Sequence, residues 1–431
     1  MTTIALGIFL FAFLLIVFEV FDKSLIAMFG ALMMVVVGIL HPEEAIEAID
    51  FETILLLLAM MLLVGIAAKS GIFEWLNVKI ASFTKGNPLF LFVLFSLVTA
   101  VFSAFLDNVT TVILIVPLTI ELMRGMGRDP KPYIFAEIIF SNIGGALTLI
   151  GDPPNIIIAG ATGFNFLEFI LNLWIPILLS SILIMGIFVV LYWKKIKPIS
   201  KNLIDLCMAN VLLKKIKHTF LKKTLHKDFV AKVVLLLLLT ILGFLLQGFI
   251  GLPNYIIAFL AAIALAILTS KRINIHETFQ SVEWTTLFFF AGLFIMVGGV
   301  EKTGILEELS LYVAGTTTNL FYLSLIVLWV SGLVSMVLDN IPFVTVMIPV
   351  IFGLETQLIG SDTTILWWAL SLGACLGGNG TLVGASANVV SVGLAKKNGV
   401  RISFLEYMRV GFPLTMIMLT LCSVYLFFRL H

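Results

Sequence analysis

Apolar runs, each long enough for the roughly 20-residue helix that crosses a bilayer's hydrocarbon core, follow one another along almost the whole chain. They predict spans near 3–21, 24–40, 53–69, 133–150 and 172–193, then near 229–249, 254–270, 285–300, 365–383 and 411–430. Two longer runs, 88–123 and 320–352, are each interrupted by an Asp-Asn pair and have the length of a hairpin with two short helical arms. A polar stretch from Trp193 to Lys232 separates two groups of spans. The fold class expected is all-α integral membrane, with about ten transmembrane helices and two helical hairpins.

The pattern repeats in detail. Asp50 to Glu74 aligns with Glu283 to Glu307 at a shift of 233, pairing Gly65 with Gly298, Lys69 with Lys302 and Gly71 with Gly304. Asp107-Asn108 aligns with Asp339-Asn340, and Pro117 with Pro349, at a shift of 232. Gly144 to Gly151 then aligns with Gly377 to Gly384, and Asn155 with Asn388, again at 233. Five spans and one hairpin per copy make the copies insert in opposite senses, the inverted repeat of secondary transporters. The expected division is a first repeat at 1–193, a lysine-rich linker at 194–228 and a second repeat at 229–431.

Composition narrows the class. Hydrophobic residues make up 61% and charged ones 12% of 431 residues, and a soluble domain carries about twice that charge. A soluble enzyme is thereby excluded, and a net charge of +1 gives no reason to expect a nucleic-acid partner. Cys207, Cys375 and Cys422 match no metal or disulfide spacing and read as isolated thiols in apolar helices. Met1-Thr2-Thr3 leads into an apolar stretch without a basic n-region or cleavage site, so the first segment reads as a retained helix. With the N-terminus outside and each hairpin returning to its own side, every one of the 26 basic residues except Lys302 and Arg429 falls inside. The acidic 41–52 loop falls outside. This positive-inside pattern predicts a multi-pass cell-membrane protein with both termini outside and the linker cytoplasmic.

Four polar breaks carry the candidate chemistry: Asp107-Asn108-Val109-Thr110-Thr111, Asp339-Asn340, Gly151-Asp152-Pro153-Pro154-Asn155 and Gly384-Ala385-Ser386-Ala387-Asn388. A mid-bilayer carboxylate costs about 2.5–3.5 kcal/mol on insertion scales, and a broken helix exposes backbone that lipid cannot satisfy. Both faults at four related places point to one polar cavity. Asp107, Asp152, Asp339 and Ser386 suit helix N-caps and Pro153 a first helical position, so four half-helices would aim their N-termini at the middle. Those positive ends favour an anion, while three aspartates favour sodium or a proton. Asp152 faces Ala385 in the repeat, an asymmetry a scaffold does not require. Asn155, Thr148, Thr381, Asn379 and Asn388 suit either backbone satisfaction or substrate contact. Glu137 and Glu19 read as structural, and the glycines at 144–145 and 377–378 as sites of close helix packing.

At these same residues, "LDNVTT", "NIGGALTLIGDPPNIII", "LDNIPF" and "GACLGGNGTLVGASANVV" resemble the P-protein (pink-eyed dilution) branch of the ArsB/NhaD permeases, in the ion transporter superfamily. The resemblance implies ten helices with two re-entrant hairpins, a scaffold able to form a homodimer, and a mobile transport domain. It also implies that Asp107-Asn108, Asp339-Asn340, Asp152–Asn155 and Ser386–Asn388 form the ion and substrate site. Arsenite permeases, sodium/proton antiporters and citrate or dicarboxylate carriers belong to this superfamily.

The function expected is secondary active transport of a small ion or solute, coupled to protons or sodium, with no other cofactor. Efflux of arsenite or a related solute, or proton-coupled anion transport, ranks ahead of sodium/proton antiport and of citrate or dicarboxylate carriage. Asp107, Asp152 and Asp339 are the candidate cation or proton sites; Asn108, Thr110, Thr111, Thr148, Asn155, Asn340, Asn379, Thr381, Ser386 and Asn388 are candidate substrate contacts. A passive channel is the rival from another class. An intramembrane aspartyl protease would show Gly-x-Gly-Asp, but Leu149 occupies the first glycine position.

Overall fold

A computed structural model describes residues 1–17, 21–84, 87–197, 227–317, 319–358 and 362–430, excepting the side chains of 74, 77, 78, 81 and 227. Glu19, Cys207 and most of the linker, residues 198–226, lie outside the described residues. The first half comprises α1 (Thr2–Val17), α2 (Lys23–Val36), α3 (Pro42–Glu47), α4 (Phe51–Lys69), α5 (Ile72–Phe83), α6 (Pro88–Phe105), α7 (Asn108–Gly125), α8 (Lys131–Gly145), α9 (Pro153–Thr162) and α10 (Phe166–Ile196). The second comprises α11 (Lys227–Leu245), α12 (Gln247–Ile250), α13 (Asn254–Thr269), α14 (Ile275–Gln280), α15 (Trp284–Glu301), α16 (Ile305–Thr316), α17 (Leu320–Val337), α18 (Asn340–Gln357), α19 (Thr364–Gly377), α20 (Ser386–Lys397) and α21 (Phe404–Leu430). Among the described residues, nine helices are long and apolar enough to cross a membrane.

Apart from the single turn of α12, each helix among the described residues has a mate in the other half. α3 and α14, α5 and α16, α6 and α17, and α7 and α18 start and stop at positions 232 or 233 apart. Packing reciprocates: α2 lies on α15 as α13 lies on α4, and α7 meets α20 as α18 meets α9. Contacts that exchange partners in this way are those of a two-fold axis. The helices sort into two bodies. α1, α2, α4, α11, α13 and α15 form a frame; α6–α10 and α17–α21 form a hairpin-bearing body.

Local chemistry explains the hairpins. Asn87 and Asn319 cap α6 and α17, the first accepting from the backbone N–H groups of Leu89 (3.1 Å) and Phe90 (3.3 Å). Two extended residues, Leu106-Asp107 or Leu338-Asp339, connect the arms. Glycine lets the arms approach their neighbours: a Cβ on Gly144 would fall on the Ala100 backbone, and one on Gly377 on that of Gly332. The expected close-packing role of these glycines is met.

Several expectations need correction. α8 and α19 stop at Gly145 and Gly377, short of 150 and 383, because the chain folds back there; a Cβ on Gly145 would lie 2.7 Å from the Gly151 carbonyl oxygen. α10 and α21 begin before 172 and 411 because they carry polar first turns, Glu168 in α10 capping back onto the Asn165 N–H (2.6 Å). α5 and α16, of 12 residues each, were not expected; they are too short to span, and α5 buries Ile72 and Phe73. Ser386 was expected at an N-cap, but Ala385 holds that place and Ser386 is the first helical residue. Asp152 sits at the N-cap of α9 without making a side-chain capping bond.

Candidate functional site

Asp107 and Asp339 cap the return arms of the hairpins. Asp107 accepts from the Thr110 N–H (2.7 Å) and hydroxyl (2.5 Å), and Asp339 from the Ile341 N–H at 3.4 Å. Capping turns the next residue inward, and Asn108 and Asn340 both donate an amide hydrogen to Asp152, at 3.2 and 3.4 Å. Asp152 is 1% exposed. Both hairpin tips thus reach one carboxylate, which hairpins crossing fully from opposite faces would not do.

The unwound segments beside it are held by an asparagine each. Asn155 Nδ2 donates to the carbonyls of Ala146 (3.2 Å) and Thr148 (2.9 Å), and Asn388 Nδ2 to those of Gly378 (2.7 Å) and Thr381 (2.8 Å). Thr148 and Thr381 bind the hairpin backbones through the Ala104 and Met336 carbonyls. These four side chains therefore satisfy backbone that helix breaking leaves bare.

Two central residues escaped the sequence reading. Asn142, in α8, accepts from Asn108 Nδ2 (3.2 Å) and donates to Asn379 Oδ1 and Asn388 Oδ1, both at 3.0 Å. Its mate at a shift of 233 is Cys375, whose Sγ lies 3.6 Å from Asn155 Oδ1, itself an acceptor from Ser371 Oγ at 2.6 Å. Cys375 is thus part of the polar centre, which corrects its reading as an isolated thiol; Cys422 is buried. Both Asn142 and Cys375 lie inside continuous helix, where no break flags them; carrying the repeat register two residues upstream of the Gly-Gly pairs would have paired them. Thr111 Oγ1 and Asn379 Nδ2 are buried with no hydrogen-bond partner among the described residues.

Asp107, Asn108, Asp152, Asn340 and Ser386 line a cavity of about 70 Å³. Asp339 lines a neighbouring one of about 600 Å³ that shares Lys23, Val109, Glu283, Thr286 and Ser386 with it. Lys23, read from sequence only as a topology marker, donates to Asp339 Oδ2 at 3.1 Å. Glu137 stands apart from this centre, accepting from Thr119 Oγ1 at 2.5 Å. A third cavity, about 390 Å³, lies at the α4–α9 contact and is lined by Thr53, Gly160 and Asn254. Among the described residues, no three His, Cys, Asp or Glu side chains converge as metal ligands. The donors present, single carboxylates with amide, hydroxyl and carbonyl oxygens, suit a proton or a hard monovalent cation.

A hairpin-bearing body of broken helices, set in a frame of spanning helices around a buried polar centre, defines a multi-pass membrane transporter. Comparison with known proteins gives the family. The profile of the citrate transporter family matches residues 13–373, and the chain belongs to that family. It is 36% identical to a 46 kDa membrane protein of Mycobacterium leprae, over 100% of this chain and 99% of the relative. It is 34% identical to the human P protein over 98% of this chain and 59% of the relative. Among solved structures, the YdaH transporter of Alcanivorax borkumensis is similar in fold, with a TM-score of 0.57 at 16% identity, covering 89% of this chain and 86% of that one.

Proposed function

We propose that this transporter is a secondary active carrier in which the hairpin-bearing body moves past the frame and exposes the polar centre to each side in turn. Movement of a proton or sodium ion drives that of a small anion or neutral solute, with carboxylates such as citrate and oxyanions such as arsenite as candidates. One observation carries the reading: the buried Asp152 carboxylate receives amide hydrogens from both hairpin tips, while its mate is Ala385. A charge placed once in a two-fold scaffold serves a ligand rather than the scaffold. Asp107 and Asp339 would add carboxylate oxygens; Asn108, Asn340, Thr111, Asn379 and Ser386 would offer amide and hydroxyl groups. The positive-inside pattern supports both termini outside and a cytoplasmic linker, and the family resemblance supports a homodimer.

A second reading, exchange of sodium for protons with no other solute, is favoured by lining charge. Asp22, Asp107, Asp152, Glu283 and Asp339 face the two joined cavities against Lys23. Purified protein in liposomes, tested with citrate, arsenite and sodium under imposed pH and sodium gradients, separates the two readings. Uptake no greater than that of empty vesicles under every gradient would sink both, and fast uncoupled flux would make the protein a channel.

A further inference from the structure

We propose that Lys23 is a built-in cation of the transport site: its ammonium holds Asp339 in the place a mobile cation takes, so the ion pair and cation loading at Asp339 exclude each other. Lys23 Nζ lies 3.1 Å from Asp339 Oδ2 and 3.4 Å from Ser386 Oγ, and Ser386 Oγ lies 3.3 Å from the same carboxylate oxygen. One ammonium thus bridges a hairpin tip and the first residue of a broken helix. The Phe289 ring, 5.1 Å away, steadies it through its π face.

The pair is made for exchange. Lys23 and Asp339 side chains are 38% and 17% exposed, and both face the 600 Å³ cavity, so water and ions reach them. Ion pairs with such access are weak. The surrounding charge is one-sided: Asp22 from the start of α2, Glu283 from that of α15, and Asp107 and Asp152 from the other breaks. Removing the ammonium leaves a field that draws in another cation. The repeat supplies no second lysine, since Tyr255 or Ile256 stands opposite Lys23 at shifts of 232 and 233. Asp107, the mate of Asp339, is held instead by Thr110.

The pair also joins two bodies. Lys23 and Phe289 belong to the frame, whereas Asp339 and Ser386 belong to the hairpin-bearing body. Sliding one body past the other must break the pair, and a cation that replaces Lys23 at Asp339 frees the moving body. This last step rests on the carrier reading; the competition itself is a property of the resting protein.

Purified full-length protein tests it by thermal stability. Sodium chloride is titrated against choline chloride at constant ionic strength and pH, then pH is varied in choline chloride, for wild type, Lys23→Met, Lys23→Arg and Asp339→Asn. In Lys23→Met, the sodium concentration giving half the stabilisation falls about fivefold, the scale of one exposed ion pair. If the ligand is a proton, Lys23→Met differs from wild type in its response to pH rather than to sodium. Lys23→Arg behaves as wild type, and Asp339→Asn loses the response. Lys23→Gln replaces Lys23→Met if that variant does not fold. Identical sodium and pH responses in wild type and Lys23→Met overturn the proposal, as does the absence of any response in both. If liposomes show no transport but the Lys23-dependent response persists, the carrier reading falls and this one stands.

Discussion

At the start of α4, Asp50 and Thr53 pack directly on Gly160, the eighth residue of α9, and Thr53 Oγ1 lies 3.4 Å from the Ile156 carbonyl. At the start of α15 their mates, Glu283 and Thr286, line the 600 Å³ cavity with Ser386, the first residue of α20. Gly393, the mate of Gly160, would have nothing within 4 Å of an added Cβ among the described residues. Likewise α4 packs along α9 while α15 makes at most slight contact with α20 and packs on α18 instead. The two sides have the same parts at different heights. The hairpin-bearing body therefore contacts the frame differently on its two sides, and on the proposed carrier reading, exchanging the two arrangements would give a second conformation built from contacts of the same kind.

The sharpest break in that comparison is chemical. Asp152→Asn keeps the shape of the side chain and removes the unpaired charge; transport in liposomes drops to the level of empty vesicles, and adding Ala385→Asp does not restore it. Wild-type rates in Asp152→Asn would remove the centre from the mechanism. Next come the glycines. Gly160→Leu inserts a side chain into Asp50 and Thr53, and overpacking of that kind costs about 1–3 kcal/mol. It should lower the melting temperature of the purified protein and stop transport. Gly393→Leu leaves the melting temperature near that of wild type, since an added Cβ there meets nothing within 4 Å among the described residues, and still stops transport, because on the carrier reading the exchanged conformation would bring Gly393 onto Thr286. Equal behaviour of the two glycine variants would refute the exchange.

A smaller effect distinguishes Asn142 from Cys375. Asn142→Ala strips partners from Asn108, Asn379 and Asn388 together and costs about 1–3 kcal/mol for the buried groups left unpaired, read as a lowered melting temperature. Cys375→Ala removes only a weak thiol contact, so its melting temperature falls less. The smallest effect is at the surface. The Lys302 ammonium, 2.5 Å from Glu44, donates to its carboxylate and holds it below the usual glutamate range. A depressed carboxylate stabilises the fold above its unfolded pKa and loses that contribution as pH falls through the folded value. Glu44→Gln therefore melts slightly below wild type at neutral pH, and the gap closes on acidification.

The sequence showed the hairpins, the breaks and their pairing because each places a costly polar group or a bare backbone in lipid, and the repeat shows that cost twice. What stayed hidden carried no such cost. Asn142 and Cys375 sit within unbroken helices, and only the fold shows that they meet the breaks. Lys23 was legible as a charge and was counted toward topology, since nothing in its neighbourhood along the chain predicts a partner 316 positions away. Three ion pairs, Lys131 with Glu406, Lys195 with Asp129 and Lys302 with Glu44, each join segments that the sequence reading places on one face, which is agreement on which segments share a side and not on which side is cytoplasmic.

Asn155 and Asn388 each secure an unwound stretch with one NH₂ group pointed at two carbonyl oxygens. Hydrolysis of that amide, the ordinary chemical ageing of asparagine, would exchange the donor for a carboxylate oxygen and set three acceptors against one another in a site sealed from water. The damage would gain no relief from solvent. Full burial of both asparagines among packed helices restricts the backbone motion that such hydrolysis requires.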